Sequence, residues 1–175
     1  MIITVYGKPI TQGSKIRTRW AMRDSNGETL SPWRDNVRSA AVNTLIAAQV
    51  VGLADVSFNT DPVNVNIYFT FARPNSHYGT GRNKAFIKAS APPFPSSHNI
   101  GDIDKLARAC LDALTDAGIW KDDSQVVLLT ASKTWVGDHS GLDRPGAVIN
   151  VTAALTGVDV PVGAAHVARA REVAS

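Results

Sequence analysis

An unbroken alternation runs through Val63–Phe71, with Val63, Val65, Ile67, Phe69 and Phe71 set against Asn64, Asn66, Tyr68 and Thr70. A period of two is that of a strand buried on one face, so the other face is expected to be solvated or lightly covered. Ile2, Ile3, Val5 and Tyr6, ending at Gly7, predict a first strand over residues 2–6. Trp33, Val37, Ala40, Ala41 and Leu45 recur at helical spacing, with Pro32 suited to a first helical turn and Ser31 to a cap, which predicts a helix over about 32–45. Leu106, Ala109, Cys110, Ala113, Leu114 and Ala117 make the apolar stripe of a second helix over 103–117, stopped by Gly118. Residues 125–129, extending towards Val136, and residues 147–155 have strand composition, and the turn-rich 137–141 between them suggests a hairpin. The expectation is one α/β domain, a mixed β-sheet with at least two helices packed on it.

Residues 72–101 interrupt the pattern with Pro74, Gly79, Gly81, Pro92, Pro93 and Pro95 and no sustained period. A loop this long in a small domain is usually functional or disordered. This one carries Arg73, Arg82, Lys84 and Lys88. It is expected to be a DNA-contacting flap; the competing expectation is a floppy insertion with incidental bases. The early segment after residue 7 reads as a basic loop. The tail, 157–175, is rich in Ala and Val with a possible short helix over 164–174, and the domain is assigned to residues 1–156.

The 175 residues suit one domain with a proper core. A net charge of +3 says little, but its distribution is uneven. Before Asp102 the bases Lys8, Lys15, Arg17, Arg19, Arg23, Arg34, Arg38, Arg73, Arg82, Lys84 and Lys88 outnumber the acids Asp24, Glu28, Asp35, Asp55 and Asp61. The lone Cys110 excludes an intrachain disulfide framework or a Cys-rich zinc site, which reads as cytoplasmic, and its place on the helical stripe points to packing. The first residues lack the pattern of a signal peptide and no run approaches membrane-spanning length, so no membrane role is expected.

Against this basic background stand Asp102, Asp104, Asp112, Asp122 and Asp123. Acids that hold a cation, ringed by bases that hold phosphates, are what a metal-dependent enzyme acting on nucleic acid needs. Asp102 and Asp104 would point the same way on an extended segment and diverge within a helix. Two hard oxygen ligands suit Mg²⁺, with Mn²⁺ as a substitute, yet aspartate before a helix is commonly just a cap. Asp122 and Asp123 lead into the next strand, where alternation would put Asp123 with Gln125 on one face and Asp122 on the other. Close carboxylates repel unless a cation neutralises them. Asp104, Arg108 and Asp112 fit an i, i+4 ion-pair ladder, but Arg108 also lies where it could hold a scissile phosphate. Lys105 and Lys121 are placed similarly. Of the four tryptophans, Trp33 and Trp120 are expected in the core, Trp135 could stack on bases, and for Trp20 DNA contact and surface packing are equally expected.

These residues resemble a known family. Asp102-x-Asp104-x-Leu106, Leu111-Asp112-Ala113-Leu114-Thr115 and Gly118-x-Trp120-x-Asp122-Asp123-x-Gln125-Val126 are similar to the signature of the RusA-like Holliday-junction resolvases, often phage- or prophage-encoded. Arg73-Pro74 before the long loop and Arg34-Asp35-Asn36-Val37 look familial too. The resemblance implies a RusA-like fold and a Mg²⁺-dependent endonuclease, a homodimer that makes paired cuts across a four-way junction of double-stranded DNA, working in the cytoplasm, that of a host if phage-encoded. It implies metal ligands at Asp102, Asp104 and Asp123 with Asp122 as helper, and a catalytic base-bearing position at Arg108. Gly101 departs from the family, where proline often precedes the first aspartate, and would loosen the approach of Asp102. Lys105 replaces a frequent asparagine and adds charge beside the metal. DNA contacts are expected from Arg73, Arg82, Lys84, Lys88, Lys105 and Lys121. The alternatives are a catalytically inactive branched-DNA-binding module, which would need no metal for affinity, and a phosphatase or single-strand nuclease with no preference for branches.

Overall fold

All five apolar positions of the alternating stretch are buried, and the rest of the domain is assembled around them. The computed structural model describes residues 1–13, 15–17, 22–24, 26–52, 57–138 and 141–154. In chain order it has β1 (Ile2–Tyr6), a short pair β2 (Lys15–Arg17) and β3 (Met22–Asp24), α1 (Gly27–Val50), β4 (Val63–Phe71), α2 (Ile103–Asp116), β5 (Val126–Trp135) and β6 (Gly146–Ala153). The main sheet has the order β1-β6-β4-β5. β6 runs antiparallel to both neighbours and β5 runs parallel to β4. A parallel pair needs a crossover, and α2 supplies it. The mixed α/β architecture is the one expected.

The hairpin expected between β5 and β6 does not form, because β4 lies between them. Strand composition carries no record of the partner, and the connection is long enough to step over one strand. It does so across the end of β4: Val136 N donates to Phe71 O at 2.9 Å and Leu142 N to the Thr70 hydroxyl at 3.0 Å. The early basic segment also holds more order than expected, in the β2–β3 pair. Trp20 and the tail from 157 lie outside the described residues.

α1 begins at Gly27, well before Pro32, which sits inside the helix. Proline there removes the hydrogen bond its N–H would donate to the Glu28 carbonyl one turn back, while the Asn26 carbonyl at the helix start receives Thr29 N and Leu30 N. The extra turn buries Leu30 beside Trp33. α2 keeps the expected bounds within a residue, and its stripe of Leu106, Ala109, Cys110, Ala113 and Leu114 is buried. Burial pushes the Cys110 thiol up to about 12, so it packs and does not react. Arg34 of α1 ties the helices together through Asp116 at 2.8 Å and Asp112 at 3.8 Å. Trp33, Trp120 and Trp135 are all buried, so none of the three is a base-stacking residue. Among the described residues no helix is long and apolar enough to cross a membrane.

Candidate active site

Asp102 occupies the residue before α2 with extended backbone, φ −76° and ψ 139°, yet its carboxylate makes no capping hydrogen bond. Capping therefore does not account for it. The carboxylate turns to Lys105 Nζ at 2.7 Å. The Lys105 hydrogen bond and then its charge hold the Asp102 carboxyl below the usual carboxylate range, with His98 and Lys133 adding weaker pulls. Asp102 is thus ionised at neutral pH. Asp104 is already inside the first turn and exposed. The extended lead-in holds for Asp102 only, but both acids project from the same end of α2.

Three segments fix that end. Gly101 has φ +87°, a conformation that disfavours any Cβ, and a Cβ there would overlap the Thr11 methyl. Gln12 N donates to Lys105 O at 3.0 Å, and Lys133 Nζ on β5 donates to Gly101 O at 3.1 Å. Proline locks φ near −65°, so it cannot stand at Gly101 in this conformation. The departure at Gly101 does not loosen the approach of Asp102; it fits a clamped one. A lone lysine on an edge strand reads as solvated, so Lys133 is not among the residues expected at the site. Its signal is alternation, which sets it on the face of β5 shared with Trp135. Gly101→Ala is expected to lose about 1–3 kcal/mol of stability, read as a drop in Tm. An unchanged Tm would show that the clamp is slack.

Asp122 and Asp123 are not on a strand. Asp123–Gln125 is a 3-10 turn, so the alternation argument fails there. Asp122 caps that turn: its carboxylate accepts from Ser124 N at 2.9 Å, and a hydrogen bond from the Ser124 side chain and then this backbone bond hold its carboxyl below the usual carboxylate range, while Gln125 Oε1 accepts from Asp122 N at 3.1 Å. Asp122 is consumed by local structure. Asp123 is exposed and makes no ion pair among the described residues.

The two acidic pairs stand far apart within one chain. Ile119 N donates to Leu114 O and Gln125 Nε2 to Asp61 O, which places the turn at the C-terminal end of α2 and the start of β4. The 14 residues of α2 lie between, a length of about 21 Å. A second ruler agrees: Val126 is level with Val63, whereas Lys133, which touches Gly101, is level with Phe69, about 20 Å further along the strand. One cation cannot touch Asp102 and Asp123 of the same chain. Consistent with this, no group of three His, Cys, Asp or Glu among the described residues could hold a metal ion. The expectation of carboxylates crowded at one intrachain point is corrected. Nearness in sequence is undone by a helix that carries the chain from one end of the sheet to the other.

The candidate DNA-contacting bases also divide. Arg73 is withdrawn: its side chain is 7% exposed, pairs with Asp138 at 3.7 Å, donates to Pro92 O at 3.2 Å and lies over the Trp135 ring at 5.0 Å. It is a clamp on the loop, not a phosphate contact. Lys88 donates to Ser76 O at 2.8 Å, and Lys105 is engaged by Asp102. Arg82, Lys84, Arg108 and Lys121 are exposed and make no ion pair among the described residues. The Asp104–Arg108–Asp112 ladder does not form, since Asp112 turns to Arg34 of α1.

The model of the endodeoxyribonuclease RusA family matches residues 7–151, a span that includes α1, α2, both acidic pairs and the loop. The chain belongs to the RusA endodeoxyribonuclease family. A search of curated proteins finds no match. Membership in the RusA family implies an endonuclease that works at Holliday junctions. The exposed, ionised Asp102 with Asp104 supplies hard oxygen donors of the kind Mg²⁺ accepts while keeping positions for water and phosphate. In this RusA member those donors suit a divalent cation only as part of a larger set, and the same chain's Asp123 is too far away to join it.

Proposed function

We propose that the protein is a homodimeric, Mg²⁺-dependent Holliday-junction resolvase in which each active site combines Asp102 and Asp104 of one copy with Asp123 of the other. The observation that carries this reading is the span of α2 between the two acidic pairs within a chain. Edge strand β5 offers the means. It pairs with β4 on one side, and its other edge is unpaired among the described residues. There Val127, Leu128 and Leu129 are 62%, 44% and 42% exposed. An exposed apolar edge is an invitation to a second strand. If two copies of β5 pair antiparallel about a two-fold axis at Leu128, Val127 faces Leu129 of the copy. Asp123 then comes level with Lys133 of the copy, beside the residue that holds Gly101 and Asp102. The same operation makes two sites, about 30 Å apart along the strands.

A divalent ion held by such a set would activate water and offset charge on the phosphate. The chain's own residues do the rest. Lys105, which pairs with Asp102 at 2.7 Å, would meet a phosphate if a cation took its place on that carboxylate. Arg108, one turn beyond Asp104 on the same face of α2, is placed to hold the scissile phosphate. Arg82, Lys84 and Lys121 supply contacts to the DNA backbone. Two sites related by a two-fold match the two symmetry-related strands of a four-way junction, and this supports paired cuts. The test compares a labelled mobile junction with a linear duplex of the same sequence, in Mg²⁺ or EDTA. Symmetric cuts in the junction alone, and only with Mg²⁺, are expected; equal cutting of duplex, or junction binding without cleavage in any divalent metal, would overturn the reading.

A further inference from the structure

The loop between β4 and α2 is neither a floppy insertion nor a simple basic flap. From His77 to Lys88 it folds back on itself as an arm. Tyr78 bridges Ile87 antiparallel, Gly79 N donates to Phe86 O at 2.9 Å, and Lys88 N to His77 O at 2.9 Å. The tip turns through Gly81–Asn83, and Phe86 N closes it on Asn83 O at 3.0 Å. Gly79 is packed so closely on Asn83 that a Cβ would overlap it. The root is clamped to Trp135 of β5: the His77 ring meets it edge-on at 5.4 Å, Arg73 covers it, and its indole N–H donates to Pro92 O at 3.1 Å.

This fixed arm presents its large apolar side chains to solvent. Phe86 is 67% and Ile87 52% exposed, next to Arg82 and Lys84, which make no ion pair among the described residues. No Asp or Glu occurs anywhere in residues 62–101. The arm leaves the sheet at Trp135, two residues along β5 from Lys133, hence at the same end as Asp102. Positive charge unrelieved by any acid selects phosphate. Apolar side chains carried beside it are what wedges between bases require, since they replace stacking that the wedge removes.

We propose that the arm is a wedge that opens base pairs at the centre of the junction, with Phe86 and Ile87 as the inserted side chains. The branch point is where unstacking costs least, because its pairs already lack a continuous stack. The inference rests on the junction reading above and adds to it a source of preference for branched DNA.

The experiment uses the full chain in EDTA and a four-way junction with 2-aminopurine at the branch point, whose fluorescence rises when it unstacks. The parent is expected to raise the signal on binding. The Phe86→Ala/Ile87→Ala double variant is expected to bind the junction within about threefold of the parent without raising it. In Mg²⁺ its cleavage should fall by about tenfold or more, since the scissile phosphate is no longer drawn into place. Phe86→Leu should keep most of the signal. A double variant that still raises the fluorescence overturns the wedge, as does one that changes the oligomeric state in sedimentation, which would make the pair a protein–protein contact. A parent that binds and cuts the junction with no fluorescence rise sinks the wedge alone; a parent that does not bind the junction sinks both readings.

Discussion

Asp102→Asn and Asp123→Asn should each reduce junction cleavage by more than about a hundredfold, beyond the loss typical of a residue that only supports a metal ligand. Both should leave folding and junction binding intact. The expectation rests on what these carboxylates do not do. Asp102 stands at a helix start without capping it, and Asp123 is exposed with no ion pair among the described residues, so neither change removes a structural bond within the fold other than the surface Lys105 contact. Asp122 is the internal comparison. Its carboxylate caps the turn through Ser124 N, a bond that an asparagine carbonyl oxygen can still accept. Asp122→Asn should therefore retain most activity. Single-turnover cleavage beside gel-shift binding separates the cases, and an Asp102→Asn protein that still cuts would remove Asp102 from the chemistry.

Leu128→Arg should convert the dimer to a monomer and abolish cleavage. At the proposed two-fold, each arginine meets its own image, and the like charges repel across a surface that is otherwise apolar. Because Leu128 is partly exposed, the change should alter the stability of the fold itself by only about 0.5 kcal/mol. Val50→Arg is the control, on an apolar residue more exposed still, at the end of α1 and away from β5. Sedimentation velocity distinguishes them: a monomer for Leu128→Arg and an unchanged dimer for Val50→Arg. A Leu128→Arg protein that remains dimeric and active would place the interface elsewhere.

The parts of the fold readable from sequence are those in which periodicity reports burial directly. β4 and the stripe of α2 are of this kind, and their bounds follow within a residue. α1 starts earlier than expected because Pro32 imitates a helix beginning, whereas the burial of Leu30 draws the helix further back. The skipped strand between β5 and β6 was not legible because composition says that a segment is a strand and not which strand it joins. At the site, the residue types were legible and their distances were not. Asp102 and Asp123 lie in one short run of sequence, but the helix that occupies the run holds them apart. Arg73 was read as a DNA contact by its charge, although Trp135 and Asp138 were waiting for it in the fold. Lys133 and Phe86 carry no distinctive signal, one as a lysine on a strand and the other as an apolar residue in a loop rich in Gly and Pro.

The shared active site can be tested with two proteins that are each expected to be inactive. Asp102→Asn and Asp123→Asn chains, differently tagged, are co-expressed, the mixed dimer is purified through both tags, and its cleavage of a four-way junction is measured in Mg²⁺. If each site takes Asp102 from one copy and Asp123 from the other, one site of the mixed dimer carries both substitutions and the second carries neither. Activity should then return as single-strand nicks at one of the two symmetric positions. A mixed dimer as inactive as its parents would contradict the account, because it would mean that both acids serve the same chain.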